Sequence, residues 1–132
     1  MNVKKFLLAA VAVGVVVNIV DLVVHGYLLT GYYSQFSFFR KEMPVQWLVI
    51  GDFVAALVFV WVYDRVFSSF GGGLKGGATF GVYAGVLVNF PTWIFSHLLI
   101  GGFTYGLAWV WTAIGIVEAV IAGAVAGAVY KK

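Results

Sequence analysis

Five polar side chains in this sequence stand within long apolar segments, and they are of types that bind or carry protons and cations. Three of them are carboxylic acids, and a charged carboxylate at the centre of a lipid bilayer costs about 2.5 to 3.5 kcal/mol on insertion scales. No Lys or Arg lies at the same predicted depth to neutralise them. The acids are therefore expected to be protonated, to share protons, to bind a cation or to contact water. The set comprises Asn18, Asp21, Asp52, Asn89 and Glu118.

A structural role is the alternative for these five residues. Amides, neutral acids and histidines hydrogen-bond across helices in lipid and so fix the packing of a membrane bundle. Within the first apolar segment Asn18, Asp21 and His25 share one helical face, because they are three and four residues apart. That face is expected to point into the protein under either interpretation.

Two histidines form a second layer, nearer one membrane face. Counting about 1.5 Å per residue from the middle of each predicted helix places His25 and His97 together, about 12 Å from the bilayer centre. Asp21 and His25 lie one helical turn apart, like half of a metal site. The side chains that could complete such a site are Asp52, Glu118 and His97.

Haem is the other ligand that the histidines could hold. His25 and His97 could be the two axial ligands of haem b, because the first and third helices of an antiparallel bundle can face each other diagonally. We expect no cofactor, and a metal ion or haem b is the alternative.

The sequence offers little support for conventional catalysis. Ser96 directly precedes His97, so their side chains point apart on a helix, and no Gly-x-Ser-x-Gly elbow is present. Cysteine is absent from the sequence, which excludes thiolate nucleophiles, thiolate metal sites and disulfides. The Gly-rich segment 71–77 lacks the Gly-Lys-Ser/Thr ending of a phosphate-binding loop. We predict that the protein is not an enzyme.

Four apolar spans must position these side chains. Hydrophobic residues make up 63% of the 132 positions and charged residues only 10%, whereas a soluble domain carries about 25% charged residues. Each apolar run is long enough to cross a hydrocarbon core of about 30 Å as a helix. The sequence predicts one all-α integral membrane domain, residues 1–132, whose helices form an up-down-up-down four-helix bundle. The predicted spans are residues 6–29, 45–66, 77–100 and 104–129.

Basic residues set the predicted orientation, because positively charged loops tend to stay in the cytoplasm. Only Arg40 and Lys41 fall on the outer side, in a loop of residues 30–44. Both termini are therefore predicted to be cytoplasmic, with a flexible Gly-rich turn at residues 68–76 on the same side. The net charge of +3 comes from so few residues that nucleic-acid binding is not expected. The basic residues on the predicted cytoplasmic side are Lys4, Lys5, Arg65, Lys75, Lys131 and Lys132.

Small residues mark the faces on which helices approach each other closely in lipid. Two such stripes recur every four residues, one on the third span, where it ends at Asn89, and one on the fourth. They could pack helices within the bundle or join two copies of the chain, and we favour packing within the bundle. The stripes comprise Gly77, Gly81 and Gly85 on the third span and Ala119, Gly123 and Gly127 on the fourth.

A run of polar and aromatic residues leads from the first span into the outer loop, and three further apolar spans follow it. The run comprises Asn18, Asp21, His25-Gly26-Tyr27 and Tyr32-Tyr33. This layout resembles small bacterial inner-membrane proteins of uncharacterised function. The resemblance covers the layout of the whole chain and implies a bacterial four-helix inner-membrane protein. It implies no activity for any residue.

Two functions fit these features. We favour a non-enzymatic membrane module that self-associates or is an accessory subunit of a larger membrane complex, with a polar cluster that could hold a metal or cofactor. This hypothesis rests on the small-residue faces and on the lack of any segment long enough for a soluble domain. The alternative is a small proton- or cation-coupled transporter or channel in which Asp21, Asp52 and Glu118 bind the ion near mid-membrane.

Overall fold

The computed structural model describes residues 2–130, which are helical almost throughout and include no β-strand. Four helices within them are long and apolar enough to cross a membrane, which confirms the predicted all-α class and the number of such helices. Lys131 and Lys132, which contribute to the predicted orientation, lie outside the described residues. The elements are α1 (Val3–Val23), which continues into a π-helical segment (Val24–Leu28), the short α2 (Thr30–Tyr33), α3 (Val45–Phe70), α4 (Gly73–Leu99) and α5 (Tyr105–Val129).

The junction between α3 and α4 is shorter than predicted. Only residues 71–72 separate the two helices, so the flexible turn predicted at residues 68–76 is wrong. Gly71 ends α3 in the left-handed region, with φ 75°, where a residue without a Cβ fits best. The Tyr63 hydroxyl donates to the Gly71 carbonyl oxygen at 2.8 Å. This bond fixes the junction and lets both helices extend into it.

α4 and α5 form the most extensive helix pair in the described chain. A Cβ added to Gly77 would overlap the Gly123 carbonyl oxygen, and one added to Gly81 would overlap that of Ala119. Residue numbers therefore rise along α4 as they fall along α5, so the helices are antiparallel. Such backbone contact provides the van der Waals packing that associates helices in lipid. The predicted stripes face each other within the chain, with Gly77, Gly81 and Gly85 against Ala119, Gly123 and Gly127.

The other helices pack unevenly around this pair. α1 packs against α3 and α5, whereas α3 and α4 share few contacts. A cleft of about 810 Å³ lies between α3 and α4, with parts of α1 and α5 at its back. Val58, Leu87 and Val88 line this cleft and are exposed, so it opens sideways on the surface of the bundle.

A buried core fills the end of the bundle where α1 starts and α5 ends. Val60, Tyr63 and Tyr130 have no exposed surface there. The Tyr130 hydroxyl donates to the carboxyl of Asp64, which is also buried. Sequence reasoning did not single out Asp64, because its partner lies 66 positions away in the chain.

Replacing Tyr130 with Phe is expected to lower the free energy of unfolding by about 1 to 3 kcal/mol, because Asp64 loses a buried hydrogen bond. Burial, with the Asp64 bond next, raises the pKa of Tyr130 from 10.0 to about 12. The folded state therefore favours the protonated hydroxyl, and this stabilisation is complete below pH 10 and lost as the pH rises to about 12. Equilibrium unfolding of the native and Tyr130→Phe proteins, below and above this pH range, measures the difference in their free energies of unfolding. This difference should be smaller at the higher pH.

Tyr27→Phe is the matched control for this substitution, because Tyr27 is 78% exposed. A Tyr130→Phe protein as stable as this control below pH 10 would contradict the prediction.

The loop of residues 30–44 closes the other end of the bundle with aromatic rings. Tyr33 of α2 packs edge-on to Trp111 of α5, with ring centroids 6.1 Å apart. Phe39 lies 5.8 Å from the same Trp111 ring, and Phe38 lies 6.1 Å from Phe103. Aromatic pairs at such distances add to the stability gained by burying the rings. The outer loop is therefore a packed cap.

Candidate functional site

Three carboxyl groups from three helices meet in the middle of the bundle. The side chains of Asp21 on α1 and Glu118 on α5 are close enough to interact electrostatically. Asp52 on α3 is close enough to interact electrostatically with both. The structure thus brings together the three acids singled out from the sequence.

The two asparagines of the predicted cluster bond within their own helices. Asn18 Nδ2 donates to the Gly14 carbonyl oxygen at 2.8 Å, and Asn89 Nδ2 donates to that of Gly85 at 3.0 Å. Asn89 Oδ1 also accepts the indole N–H of Trp93 at 3.2 Å. Their amide groups therefore serve helix structure, and the carboxyl groups carry the chemistry of the cluster.

His25 connects the carboxyl groups to the aromatic cap. Its Nε2 lies 3.7 Å from Asp21 Oδ1, and its Nδ1 is hydrogen-bonded to the Tyr33 hydroxyl. The Tyr33 oxygen accepts the indole N–H of Trp111 at 2.8 Å, so its own proton is available for His25 Nδ1. His25 Nδ1 accepts this proton in the tautomer that carries its own proton on Nε2, facing Asp21. Burial raises the pKa of the Tyr33 hydroxyl above its ordinary value of 10.0, so it remains a donor at neutral pH.

A local change of helix geometry places His25 in this network. The residues from Val24 to Leu28 form a π-helical segment, in which the Leu29 N–H donates to the Val24 carbonyl oxygen at 2.9 Å. Single π-helical turns of this kind are frequent at functional sites. The regular spacing of Asp21 and His25 gave no signal of it, and neither Tyr33 nor Trp111 was among the predicted site residues.

His25 and His97 bond to different groups in the structure. His97 Nδ1 donates to the Phe103 carbonyl oxygen at 2.7 Å, whereas His25 Nδ1 is bonded to the Tyr33 hydroxyl. The Trp111 ring packs on the His25 ring at 6.2 Å and on the Phe103 ring at 5.4 Å. Haem b with His25 and His97 as its two axial ligands stays a prediction.

The predicted metal site does not form. Between residues 2 and 130, the structure brings no three His, Asp or Glu side chains into an arrangement that could hold a metal ion. Asp21 and His25 remain a facing pair, whereas His97 bonds to the Phe103 carbonyl oxygen.

Glu118 faces two cavities. It lines the cleft between α3 and α4 together with Asp52 and Asn89, while the other lining residues are mostly apolar. It also lines a second cavity of about 480 Å³ between α1 and α5, where it is the one charged residue among apolar side chains such as Ile19 and Ile114. Glu118 can therefore be reached from both sides of α5.

No protein-family model, curated protein or solved structure matches this chain. The proposal for its function therefore rests on the geometry of the site.

Proposed function

We propose that this chain is a small multi-pass membrane protein that binds a proton or small cation at mid-membrane carboxyl groups, as a proton- or cation-coupled transporter or channel. The observation that carries the proposal is the convergence of Asp21, Asp52 and Glu118 from three helices. Acids held together in a medium of low dielectric favour uptake of a proton or cation over separate charges. The proposal assigns no enzymatic reaction.

A series of hydrogen-bonding groups supports a path to these acids. It runs from the Tyr33 hydroxyl to His25 and from His25 to Asp21, which interacts electrostatically with Glu118. A histidine can accept a proton at one ring nitrogen and release another from the other nitrogen. Tyr33 lies in the aromatic cap, so this series joins one end of the bundle to its middle, and the cleft at Glu118 continues from there.

Proton flux into liposomes tests this proposal. Purified protein is reconstituted with an internal pH-sensitive dye, and a pH or cation gradient is imposed. The expected result is flux above that of protein-free liposomes, and a return to that background in the triple variant Asp21→Asn, Asp52→Asn, Glu118→Gln. Equal flux in the native protein and the triple variant would count decisively against the proposal.

We also propose that both termini face the cytoplasm of a bacterium and that the protein lies in its inner membrane. Lys4 and Lys5 begin the chain's first helix, and Arg65 and Lys75 flank the α3–α4 junction. The bond between Tyr130 and Asp64 places the end of α5 beside this same junction. Basic residues at one end of the bundle are typical of the cytoplasmic side.

Single cysteines can report this orientation, because the sequence has none of its own. Ser37 lies in the exposed part of the outer loop, and Ser69 is exposed near the α3–α4 junction. A membrane-impermeant thiol reagent is expected to label Ser37→Cys in intact cells and Ser69→Cys only after lysis. The opposite pattern would reverse the proposed orientation.

A self-associating module or accessory subunit is the second candidate function. The small-residue stripes no longer favour it, because they are occupied between α4 and α5. The open cleft between α3 and α4 favours it instead, since a helix of another protein could fill such a surface. Two results together would exclude this candidate. Native mass spectrometry in mild detergent would detect monomers alone, and no partner would be recovered from the native membrane.

A further inference from the structure

The cleft between α3 and α4 has the size and lining of a small-molecule site. Its volume of about 810 Å³ falls within the range of about 300 to 1,000 Å³ that such sites occupy. Most of its walls are Val, Ala, Leu and Phe side chains, and few polar groups reach it. An apolar cavity with a few placed polar groups binds a ligand of the same character.

The polar groups of the cleft accept hydrogen bonds or attract positive charge. Asn89 is already bonded to Gly85 and Trp93, which leaves the Tyr83 hydroxyl and the carboxyl groups of Asp52 and Glu118 as the polar groups open to a ligand. Among the described residues, no Lys, Arg or His lines the cleft, so an anion would find no positively charged partner there. The cleft therefore selects for a cation or a hydrogen-bond donor.

Aromatic rings strengthen this selection. Phe59, Phe80 and Tyr83 line the cleft, and Trp93 stands near Asn89 on the same wall. The faces of such rings attract ammonium groups and other cations, most strongly where water is excluded. Carboxyl groups and aromatic faces in one cavity are thus complementary to an organic cation.

The opening of the cleft determines how a ligand arrives. Val58, Leu87 and Val88 line the cleft and are 55%, 75% and 60% exposed, on surfaces that face lipid if α3 and α4 span the bilayer. A ligand that enters here passes through hydrocarbon, so it must itself be lipophilic. A bare lipid chain would fit the walls but would leave Asp52 and Glu118 without a partner.

We propose that the cleft between α3 and α4 binds a lipophilic cation, whose ammonium or phosphonium centre lies beside Asp52 and Glu118 and whose apolar substituents contact the aromatic walls. This inference rests on the proposed function and names the class of its organic substrate. Binding of the cation would release a proton from Glu118, because one carboxylate cannot hold both the proton and the cation. Cation binding and proton transport would thereby be coupled.

Binding of tetraphenylphosphonium to the protein in liposomes tests the inference, with protein-free liposomes subtracted. Tetraphenylborate is the matched control, because it has nearly the same size and shape but the opposite charge. The expected result is saturable binding of the phosphonium and none of the borate. Equal binding of both ions, or no binding of either, would overturn the inference.

Substitutions locate the binding within the protein. Asp52→Asn with Glu118→Gln should weaken phosphonium binding about tenfold or more, because a charged partner is lost. Ala84→Trp, which fills the cleft, should abolish binding, whereas Val86→Trp on the exposed surface of the same helix should not. Unchanged binding in Ala84→Trp, or loss in both variants alike, would place the ion elsewhere.

The two proposals can fail separately. Proton flux that depends on the three acids, with no phosphonium binding, would leave the proposed function standing and remove only this ligand. Phosphonium binding at the cleft, with proton flux unchanged when the three acids are replaced, would leave this inference standing and remove the proposed function. A second copy in the cleft would appear as a dimer that Ala84→Trp converts to a monomer while phosphonium binding persists, and this too would overturn the inference.

Discussion

Replacing Glu118 with Gln is expected to reduce proton or cation flux by about tenfold or more, the largest loss from any single substitution. Glu118 interacts electrostatically with both Asp21 and Asp52 and lines both cavities, whereas Asp52 lines only the cleft between α3 and α4. Gln keeps the size of the side chain and can still form hydrogen bonds, so the fold is preserved. It cannot gain and lose a charge, which transport of a cation requires.

The measurement is initial flux in proteoliposomes that contain equal amounts of folded protein. Glu42→Gln is the matched control, because Glu42 is an exposed acid in the outer loop. Asp52→Asn should give an intermediate loss. If Glu118→Gln and Glu42→Gln give the same flux as the native protein, Glu118 is not the ion-binding group.

Replacing Gly77 with Leu is expected to destabilise the protein by about 3 kcal/mol or more, or to prevent folding. The first added carbon would overlap the Gly123 carbonyl oxygen and lie 2.8 Å from backbone atoms of Gly127. Backbone atoms cannot rotate aside as a side chain can, so α4 and α5 would have to separate. In lipid that separation loses the packing on which their association depends.

Reversible unfolding in mixed micelles, followed by tryptophan fluorescence, measures this loss. Gly51→Leu is the matched control, because Gly51 lies in the exposed surface of α3 with nothing within 4 Å of an added Cβ. The control protein should be as stable as the native one or slightly more so, since Gly weakens a helix by about 1 kcal/mol. Equal stability of the two Leu variants would show that the α4–α5 contact is looser than described.

Properties that depend on distance along the helix axis could be predicted from the sequence. The four spans begin and end within about four residues of the predictions, because span length is set by the thickness of the hydrocarbon core. The meeting of Asp21, Asp52 and Glu118 follows from similar reasoning: acids at one depth avoid lipid by facing inward.

Properties that depend on position around the bundle could not be predicted in this way. Depth placed His25 and His97 at one level but did not show that His25 bonds to the Tyr33 hydroxyl and His97 to the Phe103 carbonyl oxygen. The bond between Tyr130 and Asp64 joins helices that are distant in sequence. The turn at residues 68–76 was assigned from its glycines, whereas the Tyr63 bond that orders it comes from within α3.

The unequal packing of the helices has a mechanical consequence. α4 and α5 touch along their backbones, while α3 and α4 share few contacts. Parting the helices therefore takes less work along the seam between α3 and α4 than between α4 and α5. The α4–α5 pair then acts as one rigid body against which α3 can tilt, and such tilting widens or narrows the seam without breaking the glycine contacts between α4 and α5. Lateral pressure in a bilayer would act on this seam more readily than on the α4–α5 contact.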